Sequence, residues 1–466
     1  MFRRLLATFL VCMAGPSAAA EPEPANRDLL IHGAYVMTMD PDLGDIENGD
    51  VLIRAGRIAA VGRGLKAEGV RRIDAHGMVV LPGFVDAHTH LYVTTMRGQF
   101  RNANGQFFPV SSRLARAMQP NDVRVAMYTG ALELLQSGVT TTGDFFDNVL
   151  TKEHGQAGLD GLNAAGIRAI LYLGGPDKTT QHPIDLTQLA ELAHKQGADA
   201  RVQIGLAWRL PRNREDAANW AMRQKEYDTA RQLALPIQVH VSGEPGPMFD
   251  ALIQRGYLYP DLTVVHATDA TPAQLQALEK AGASAVLTPV SEHRVGYGLT
   301  RLDHFLSVGR LGLGLDGNAL AGSADMFSTL RLAALTWSGA TRDEKAPDPR
   351  QLLQLATRGG AQAMGLQKEI GTLAPGKRAD LQIVDLAALN FSGYGGGDPA
   401  ALLVYSAHPE NVRTVLVDGR PVKEDGRLVG VDAADVVEQA NASARALLDR
   451  APPPQSQARI DGKTSR

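Results

Sequence analysis

The sequence predicts an α/β protein in which a (β/α)8 TIM-like barrel carries a small β-sandwich domain built from N- and C-terminal segments. Between residues 83 and 365, eight short apolar runs alternate with Ala- and Leu-rich helical stretches, which is the spacing of repeated β-α units. Strand-like runs broken by Gly and Asp occupy residues 28–80 and return after residue 379. A chain of 466 residues can form a barrel of this kind with an attached domain.

The N-terminus has the pattern of a secretory signal peptide, residues 1–20. Arg3 and Arg4 precede an apolar stretch, and Ala18-Ala19-Ala20 supplies the small residues of a cleavage site. The stretch is shorter than the roughly 20 residues that span a bilayer, which favours cleavage over an uncleaved anchor. We therefore expect a periplasmic or secreted protein. The arginine pair leaves the Sec and twin-arginine routes both open.

Two distant segments are predicted to form the composite sandwich, residues 21–82 and residues 366–440. Both contain short β-branched or alternating runs, and Asp418-Gly419 between apolar flanks is typical of a hairpin turn. Residues 441–466 are predicted to be a C-terminal helix followed by a polar tail that contains three consecutive prolines.

The barrel is predicted over residues 83–365, and its strands are identified by their apolar runs. In chain order the runs are GFVDAH, VTTTGDF, IRAILYL, VQIGLAW, LPIQVHV, LTVVHA, SAVLT and LGLGLD. Eight parallel strands are what the barrel requires. A doubly wound open sheet is the competing arrangement, because it shows the same alternation of strands and helices.

Composition excludes some partners and restricts the ligands of a metal. The chain has 47 Lys+Arg and 50 Asp+Glu with no long basic run, so we expect no nucleic-acid partner and no membrane partner after signal cleavage. The only cysteine, Cys12, lies inside the predicted signal, and Val11 before it disfavours a lipoprotein. A mature chain without thiols must bind metal through imidazole and carboxylate groups.

Histidines and one aspartate stand at the carboxyl ends of predicted strands, where a barrel exposes its functional residues. His88 and His90 end the first strand with a spacing that turns both rings to one side. His240, His266 and Asp316 end the fifth, sixth and eighth strands. Each alone is more often structural, but together they indicate a metal site, because ionisable groups are costly to bury unless paired or metal-bound.

PGFVDAHTHL from Pro82 and TMRG from Thr95 resemble the metal-dependent amidohydrolase superfamily, in particular its cytosine-deaminase-like and chlorohydrolase-like branch. QVHVSGE, VVHATD, GLGLDGN and the stretch from ATRGG to ADLQIVD extend the resemblance over nearly the whole mature chain. The resemblance implies that one divalent ion, zinc or iron, is bound by four residues: His88, His90, His240 and Asp316. The fourth predicted strand has no lysine of the kind that bridges two metals in binuclear relatives, which favours one ion.

A divalent ion lowers the pKa of its bound water, so that hydroxide forms at neutral pH and can attack an sp2 carbon bearing nitrogen. Asp316 can take the proton from this water, and His266 can stabilise the charge that develops on the substrate. In deaminases of the branch, a glutamate three residues after the fifth-strand histidine is the acid. That place is Gly243 here, and Glu244 follows one residue later.

Glu244 is therefore the candidate acid, although a shift of one residue turns an extended side chain to the other face. Glu292 and His293, in the loop after the seventh strand, are alternatives that contact substrate or supply the displaced acid. Arg97 and Tyr92 follow the first strand and are candidates for lining the pocket, with Tyr92 stacking on a planar ring. Ordinary interpretations of these residues are a surface ion pair, a packed aromatic side chain and solvated loop residues.

These observations predict an exported mononuclear metallohydrolase that acts on a non-peptide carbon–nitrogen bond of a small molecule by hydrolytic deamination of an N-heteroaromatic compound. An amide, carbamate or aryl-halide bond is the alternative, because a good leaving group needs no proton donor. A catalytically silent binding protein on this fold is a further alternative. A nucleic-acid deaminase lacks support, because no basic channel or Cys-rich zinc motif is present. The family is often dimeric or larger, which implies a homo-oligomer.

Overall fold

Two β-sheets contain the strands of the computed structural model, which describes residues 28–100, 105–176, 180–197, 199–242 and 245–452. The eight-stranded sheet consists of β6 (Phe84–Thr89), β7 (Val139–Phe146), β8 (Arg168–Leu173), β9 (Val202–Trp208), β10 (Ile237–Val241), β11 (Leu262–His266), β12 (Ser284–Leu287) and β13 (Leu311–Leu313). All pairings in this sheet are parallel, and the strands are neighbours in chain order.

The sheet closes on itself between its last and first strands. Backbone N–H groups of Leu315 and Asp316, just beyond β13, donate to the carbonyl of His88 in β6 at 3.1 and 2.9 Å. Most of the strand residues are buried, as expected where helices cover a parallel sheet. The predicted (β/α)8 barrel is confirmed, and all eight predicted runs are strands of it.

Fifteen α-helices connect and surround the strands of the described chain. They are α1 (Phe107–Ala115), α2 (Pro120–Gln136), α3 (Lys152–Ala165), α4 (Leu186–Lys195), α5 (Ala217–Gln232), α6 (Pro245–Gln254), α7 (Pro272–Lys280), α8 (Pro289–Val295), α9 (Leu302–Phe305), α10 (Asn318–Ala321), α11 (Met326–Thr341), α12 (Pro349–Gln354), α13 (Gly360–Ala363), α14 (Ala400–Ser406) and α15 (Ala433–Arg450). A π-helical turn, Leu355–Gly359, joins α12 to α13. No helix of the described residues combines the length and apolarity that crossing a membrane requires.

The segment around α13 packs against the interior of the barrel from below. Gly360 approaches Val85 so closely that an added Cβ would lie 2.8 Å from the Cβ of Val85. The hydroxyl of Thr263 in β11 donates to the carbonyl of Ala363 at 3.1 Å. Met364 continues this apolar contact with the inner residues of the strands. The segment therefore fills the amino end of the barrel and leaves the carboxyl end for polar residues.

The second sheet draws its strands from both ends of the chain, as the sequence predicts. It contains β1 (Leu29–Met37), β2 (Asp45–Arg54), β3 (Arg57–Gly62), β4 (Arg71–Asp74), β5 (Met78–Pro82), β14 (Leu381–Asp385), β15 (Val412–Val417), β16 (Arg420–Glu424) and β17 (Arg427–Leu428). Antiparallel pairing of β5 with β14 connects the two contributions, with Pro82 opposite Leu381. The C-terminal helix, α15, begins at Ala433, before the predicted start at residue 441.

A group of buried charges joins this sheet to the amino end of the barrel. We refer to Arg168, Arg378, Asp380 and Asp418 as the joint cluster. Arg168, the first residue of β8, donates to Asp380 at 2.6 and 3.2 Å and to Asp418 at 2.6 Å. Arg378 donates to Asp418 at 2.9 Å, and the backbone N–H of Asp418 donates to Asp380 at 2.8 Å. Two arginines and two aspartates thus meet, and Arg378 also pairs with Glu369 and with the exposed Asp199.

Candidate active site

Five side chains converge at the carboxyl end of the barrel, and we refer to them as the site cluster: His88, His90, His240, His266 and Asp316. Strands β6, β10 and β11 carry three of the imidazoles, and His90 follows β6 directly. The ring centroid of His88 lies 5.0, 4.9 and 5.8 Å from those of His90, His240 and His266. Parallel pairing of neighbouring strands therefore brings together residues that are far apart in the sequence.

Four of these residues direct ligand atoms toward a common point. Nε2 of His88 lies 3.0 Å from Nε2 of His240 and 3.3 Å from Oδ1 of Asp316, and Nε2 of His90 lies 3.4 Å from the same oxygen. Bonds of about 2.0–2.1 Å in a tetrahedral zinc site place ligand atoms about 3.4 Å apart. The spacing and the donor types therefore fit one divalent ion held by His88, His90, His240 and Asp316.

The protonation of His88 suits a metal ligand. Its Nδ1 donates to Oε1 of Gln238 at 2.9 Å, and the amide of Gln238 is oriented by donating from Nε2 to the carbonyl of Ala87 at 2.8 Å. This bond fixes the proton on Nδ1 and leaves the Nε2 lone pair facing the cluster. Burial lowers the pKa of His88 to about 4, helped by the neighbouring His90 and opposed by Asp316. The ring is therefore neutral at physiological pH.

The imidazoles of His240 and His90 are also kept neutral. Burial lowers the pKa of His240 well below its usual value, and repulsion from His88 and His90 adds to the effect. Burial likewise lowers the pKa of His90. Its Nδ1 is buried 3.5 Å from Asp147 and has no hydrogen-bond partner among the residues that the structure describes. Phe145 stacks on the ring of His240 at a centroid distance of 4.3 Å. Neutral imidazoles in a dry environment are the form in which histidine binds metals.

Asp316 is the anion of the site. Burial raises the pKa of this carboxyl, but the neighbouring imidazoles of His88, His266 and His90 outweigh burial and hold the pKa well below its usual range. Strand β13 ends at Leu313, three residues earlier than the run LGLGLD suggests. The chain there adopts a left-handed conformation at Asp316, with φ of 58°. Gly314 permits this turn, because a Cβ there would lie 2.6 Å from the carbonyl of His88.

His266 lies beside these four residues, and Glu292 contacts the side of its ring that faces away from them. Its Nδ1 lies 3.2 Å from Oε1 of Glu292 and 3.1 Å from the hydroxyl of Thr288, while its Nε2 faces Oδ2 of Asp316 at 4.0 Å. A carboxylate accepts hydrogen bonds, so Nδ1 of His266 carries the proton. His266 also has a left-handed backbone, with φ of 70°. Such backbone strain at a non-glycine residue is characteristic of functional sites.

Glu292 does not occupy the position that we expect of a residue that contacts substrate. Its side chain is fully buried, Oε1 accepts from the backbone N–H of Thr288 at 2.9 Å, and Oε2 accepts from Thr300. Because protein donors occupy both carboxylate oxygens, Glu292 orients His266 instead of donating a proton to substrate. His293 accepts from the backbone N–H of Thr300 at 3.0 Å, which anchors the loop after α8. Glu244, the candidate acid, lies outside the described residues.

The two residues predicted to line the pocket have other partners. Arg97 is about half exposed and pairs with Glu133 at 2.6 Å, which is the ordinary surface ion pair that the sequence also allowed. Tyr92 is buried, and its hydroxyl donates to Oδ1 of Asp147 at 2.9 Å. Its ring packs on Phe146 at a centroid distance of 5.5 Å, which is the packed aromatic contact that the sequence also allowed.

Several residues near the site were not found from the sequence. Asp147 follows β7, lies 3.5 Å from Nδ1 of His90 and forms an ion pair with the mostly buried Arg209. Asp144, in β7, accepts from the backbone N–H of Leu91 at 2.9 Å, and burial raises its pKa to about 7. Tyr297 lies with its ring centroid 5.6 Å from that of His266. Acidic residues at the end of the second predicted strand were the available signal for Asp144 and Asp147.

Comparison with known proteins agrees with this geometry. Residues 79–422 match the profile of the amidohydrolase family. The chain belongs to the amidohydrolase family. It is accordingly a metal-dependent hydrolase of the amidohydrolase or aminohydrolase type, acting on carbon–nitrogen bonds other than peptide bonds. The resemblance recognised in the sequence is thereby confirmed.

Similar proteins include deaminases and a chlorohydrolase. This amidohydrolase is 29% identical to the 5'-deoxyadenosine deaminase of Methanosarcina mazei over 446 residues, which cover 91% of this chain and 99% of the relative. An adenosine deaminase from Xanthomonas campestris with bound zinc has a TM-score of 0.79 and 25% identity, with 91% and 99% of the two chains covered. Atrazine chlorohydrolase from Arthrobacter aurescens, complexed with zinc, has a TM-score of 0.77 and 25% identity, with 89% and 100% covered.

Proposed function

We propose that this amidohydrolase is an exported aminohydrolase that replaces an exocyclic amino group of an N-heteroaromatic compound by oxygen and releases ammonia. The convergence of His88, His90, His240 and Asp316, with His266 at their side, is the observation that carries the proposal. Deaminases of aminopurine nucleosides among its relatives support the choice of substrate class. The predicted signal peptide, residues 1–20, supports export, although it lies outside the described residues.

We propose zinc or iron as the metal, bound once, by His88, His90, His240 and Asp316. The solved relatives with zinc favour zinc. When bound, the ion supplies the Lewis acidity that makes water nucleophilic at neutral pH. Three neutral imidazoles and one carboxylate leave a net positive charge at such a centre, which suits an attacking water that must lose a proton.

The residues around the centre have separate tasks in this proposal. Asp316, anionic and between the imidazoles, takes a proton from the attacking water. His266 presents Nε2 toward the same space, where it can hold a proton close to the oxygen that replaces the amine. Glu292 keeps the proton of His266 on Nδ1. The amine leaves as ammonia after receiving a proton, and Glu244 is our candidate for the donor.

Hydrolysis of an aryl-halide bond is the second candidate, because atrazine chlorohydrolase shares the fold and a chloride leaving group needs no proton. The two reactions are distinguished by their products. We expect zinc-loaded enzyme to release one ammonia per 5'-deoxyadenosine or methylthioadenosine consumed, and we expect Glu244→Gln to slow this release about 10²–10⁴-fold. Glu191→Gln, on the exposed side of α4, is the matched control and should retain full activity.

An ammonia assay and a chloride assay on atrazine, performed with the same enzyme preparation, provide the test. Chloride release without ammonia release from any aminated ring would replace deamination by the second candidate. If Glu244→Gln matched the wild-type rate of ammonia release, deamination would stand and Glu244 would lose its role as the acid.

A further inference from the structure

Three side chains of metal-binding types also meet on the small β domain, whose sheet is separate from the barrel sheet that carries the site cluster. We refer to His32, Asp74 and His76 as the sheet cluster. His32 lies in β1 and Asp74 ends β4, and parallel pairing sets these two residues opposite each other. The backbone N–H of Ala75 donates to the carbonyl of His32 at 2.9 Å, which fixes the turn leading to His76. One ligand atom from each of the three side chains lies within 4.8 Å of the others.

Contacts with Asp74 fix the orientation of the His76 ring. Nδ1 of His76 is 2.5 Å from Oδ1 of Asp74, whose carboxylate also accepts from the backbone N–H of His76 at 3.1 Å. A histidine that donates from Nδ1 to a carboxylate has its Nε2 lone pair free for a metal, and such a carboxylate–histidine pair is a common support of metal ligands. More than half of the His76 side chain, 58%, is exposed, so ions in solution can reach it.

A glycine makes room for this ring. Gly33 has φ of +80°, and an added Cβ would lie 2.4 Å from Nε2 and from Cε1 of His76. Gly33 lies within an irregularity in the pairing of β1 with β2, between Ile31 and Ala34, and its backbone N–H donates to the buried Asp50 at 3.1 Å. The ring of His32 meets that of His76 edge-on, with centroids 4.8 Å apart. The two imidazoles are therefore held close together, His32 by strand β1 and His76 by the turn after β4.

We propose that the sheet cluster binds a second divalent transition-metal ion, separate from the ion of the barrel. Imidazole nitrogens and a carboxylate suit Zn²⁺, Cu²⁺ and Ni²⁺, and affinity among these should be highest for Cu²⁺. His32 and His76 are the ligands, Asp74 supports His76 or adds an oxygen, and water completes the coordination. The proposal does not depend on the reaction catalysed in the barrel.

Metal stoichiometry tests the proposal on untagged, full-length protein. The barrel site is first saturated with zinc, excess metal is removed, and Cu²⁺ or Zn²⁺ is added in equilibrium dialysis followed by elemental analysis. We expect wild-type protein to bind one equivalent of metal more than His32→Asn or His76→Asn. Asp74→Asn should weaken the same equivalent about 10–100-fold. Electron paramagnetic resonance of the added Cu²⁺ should show nitrogen ligands that are lost in both histidine variants.

His304→Asn is the matched control, because His304 is about half exposed and 3.9 Å from Asp303 but belongs to no three-residue group of metal-binding side chains among the described residues. This variant should bind as much metal as the wild type. All variants should keep wild-type hydrolytic activity, which verifies the fold and the barrel site. Equal metal content in wild type and His32→Asn, or an equal loss in His304→Asn, would overturn the proposal.

Discussion

Two groups of buried polar side chains lie at opposite ends of the same barrel, and they are completed in different ways. In the joint cluster, Arg168 spans Asp380 and Asp418 with distances of 2.6 to 3.2 Å. In the site cluster, Nε2 atoms of His88 and His240 face each other at 3.0 Å, and Nδ1 of His90 has no hydrogen-bond partner within the described part of the chain. Burial is similar at both ends, so burial alone does not distinguish structure from function.

The difference lies in whether the protein itself satisfies the buried groups. Opposite charges in the joint cluster neutralise one another, which is the condition under which buried charges are tolerated. Three imidazoles and Asp316 leave lone pairs directed at one point, and the fold adds left-handed backbone at His266 and Asp316 to hold them there. Lone pairs that converge at the carboxyl end of a barrel without a protein partner at their centre indicate a binding site for a ligand from outside the chain.

The largest effect expected from this comparison is the loss of activity in Asp316→Asn. The amide keeps the size of the side chain but removes the negative ligand and the proton acceptor, so kcat/KM for ammonia release should fall on the order of 10³-fold or more. The free energy of unfolding of metal-free enzyme should fall by less than the about 4 kcal/mol that a 10³-fold loss of kcat/KM represents, because the imidazoles beside this carboxylate are neutral. Steady-state kinetics and urea unfolding provide both numbers. A stability loss as large as the activity loss would mean that the site cluster is structural.

Arg168→Met should have the opposite effect to Asp316→Asn, with a large loss of stability and no loss of activity in the folded enzyme. Removing the guanidinium leaves Asp380 buried without its cation and Asp418 with Arg378 alone, and breaking such a buried pair costs about 3–5 kcal/mol of unfolding free energy. The turnover number of folded enzyme should not change, because Arg168 is at the other end of the barrel. Arg413→Met is the control, since Arg413 is about half exposed beside Asp385, and its loss should cost under about 1 kcal/mol. Urea unfolding that gives equal values for the two variants would remove the distinction between the clusters.

Much of the fold was predictable because its signals are local. Each barrel strand is a short apolar run between helical stretches, and the strand-end histidines follow from the direction of parallel strands. The end of β13 was less predictable, because LGLGLD reads as one strand, whereas the close approach of Gly314 to His88 turns the chain away after Leu313. That contact between distant residues has no signature in the run itself.

Supporting residues of the site were the least predictable part. Gln238 lies two residues before His240, and Asp147 follows β7, but polar residues at such positions are usually structural. Glu292 was recognised as a candidate, yet only the three-dimensional structure shows that His266, Thr288 and Thr300 occupy its carboxylate. Which polar atoms remain free is decided by tertiary contacts, and the sequence does not contain that information directly.

Lys423 sharpens the comparison with the joint cluster, because it is a buried cation that has no hydrogen-bonded carboxylate among the described residues. Its Nζ donates to the backbone carbonyls of Gln136 and Pro409, which connect α2 and the segment before β15 to β16. Burial lowers its pKa to about 8, from an ordinary value of 10.5, with Glu410 opposing the shift. Arg168, paired with two carboxylates, keeps its charge throughout this range.

The lowered pKa of Lys423 predicts the smallest of these effects, a change in how the unfolding free energy depends on pH, and also predicts its direction. Between pH 8 and 10.5, Lys423 of the unfolded chain holds its proton, whereas the buried amine of the folded chain has lost it. The unfolded state therefore binds more protons than the folded state. Because of this difference, the unfolding free energy rises with pH. Between pH 7.5 and pH 10 the unfolding free energy of Lys423→Met should rise less than that of the wild type, by about 1 kcal/mol. Urea unfolding of both proteins at pH 7.5 and pH 10 measures the difference, and the other titrating groups cancel in it. Parallel profiles would show that Lys423 stays protonated, and its backbone carbonyl partners would then be as effective as the carboxylates of the joint cluster.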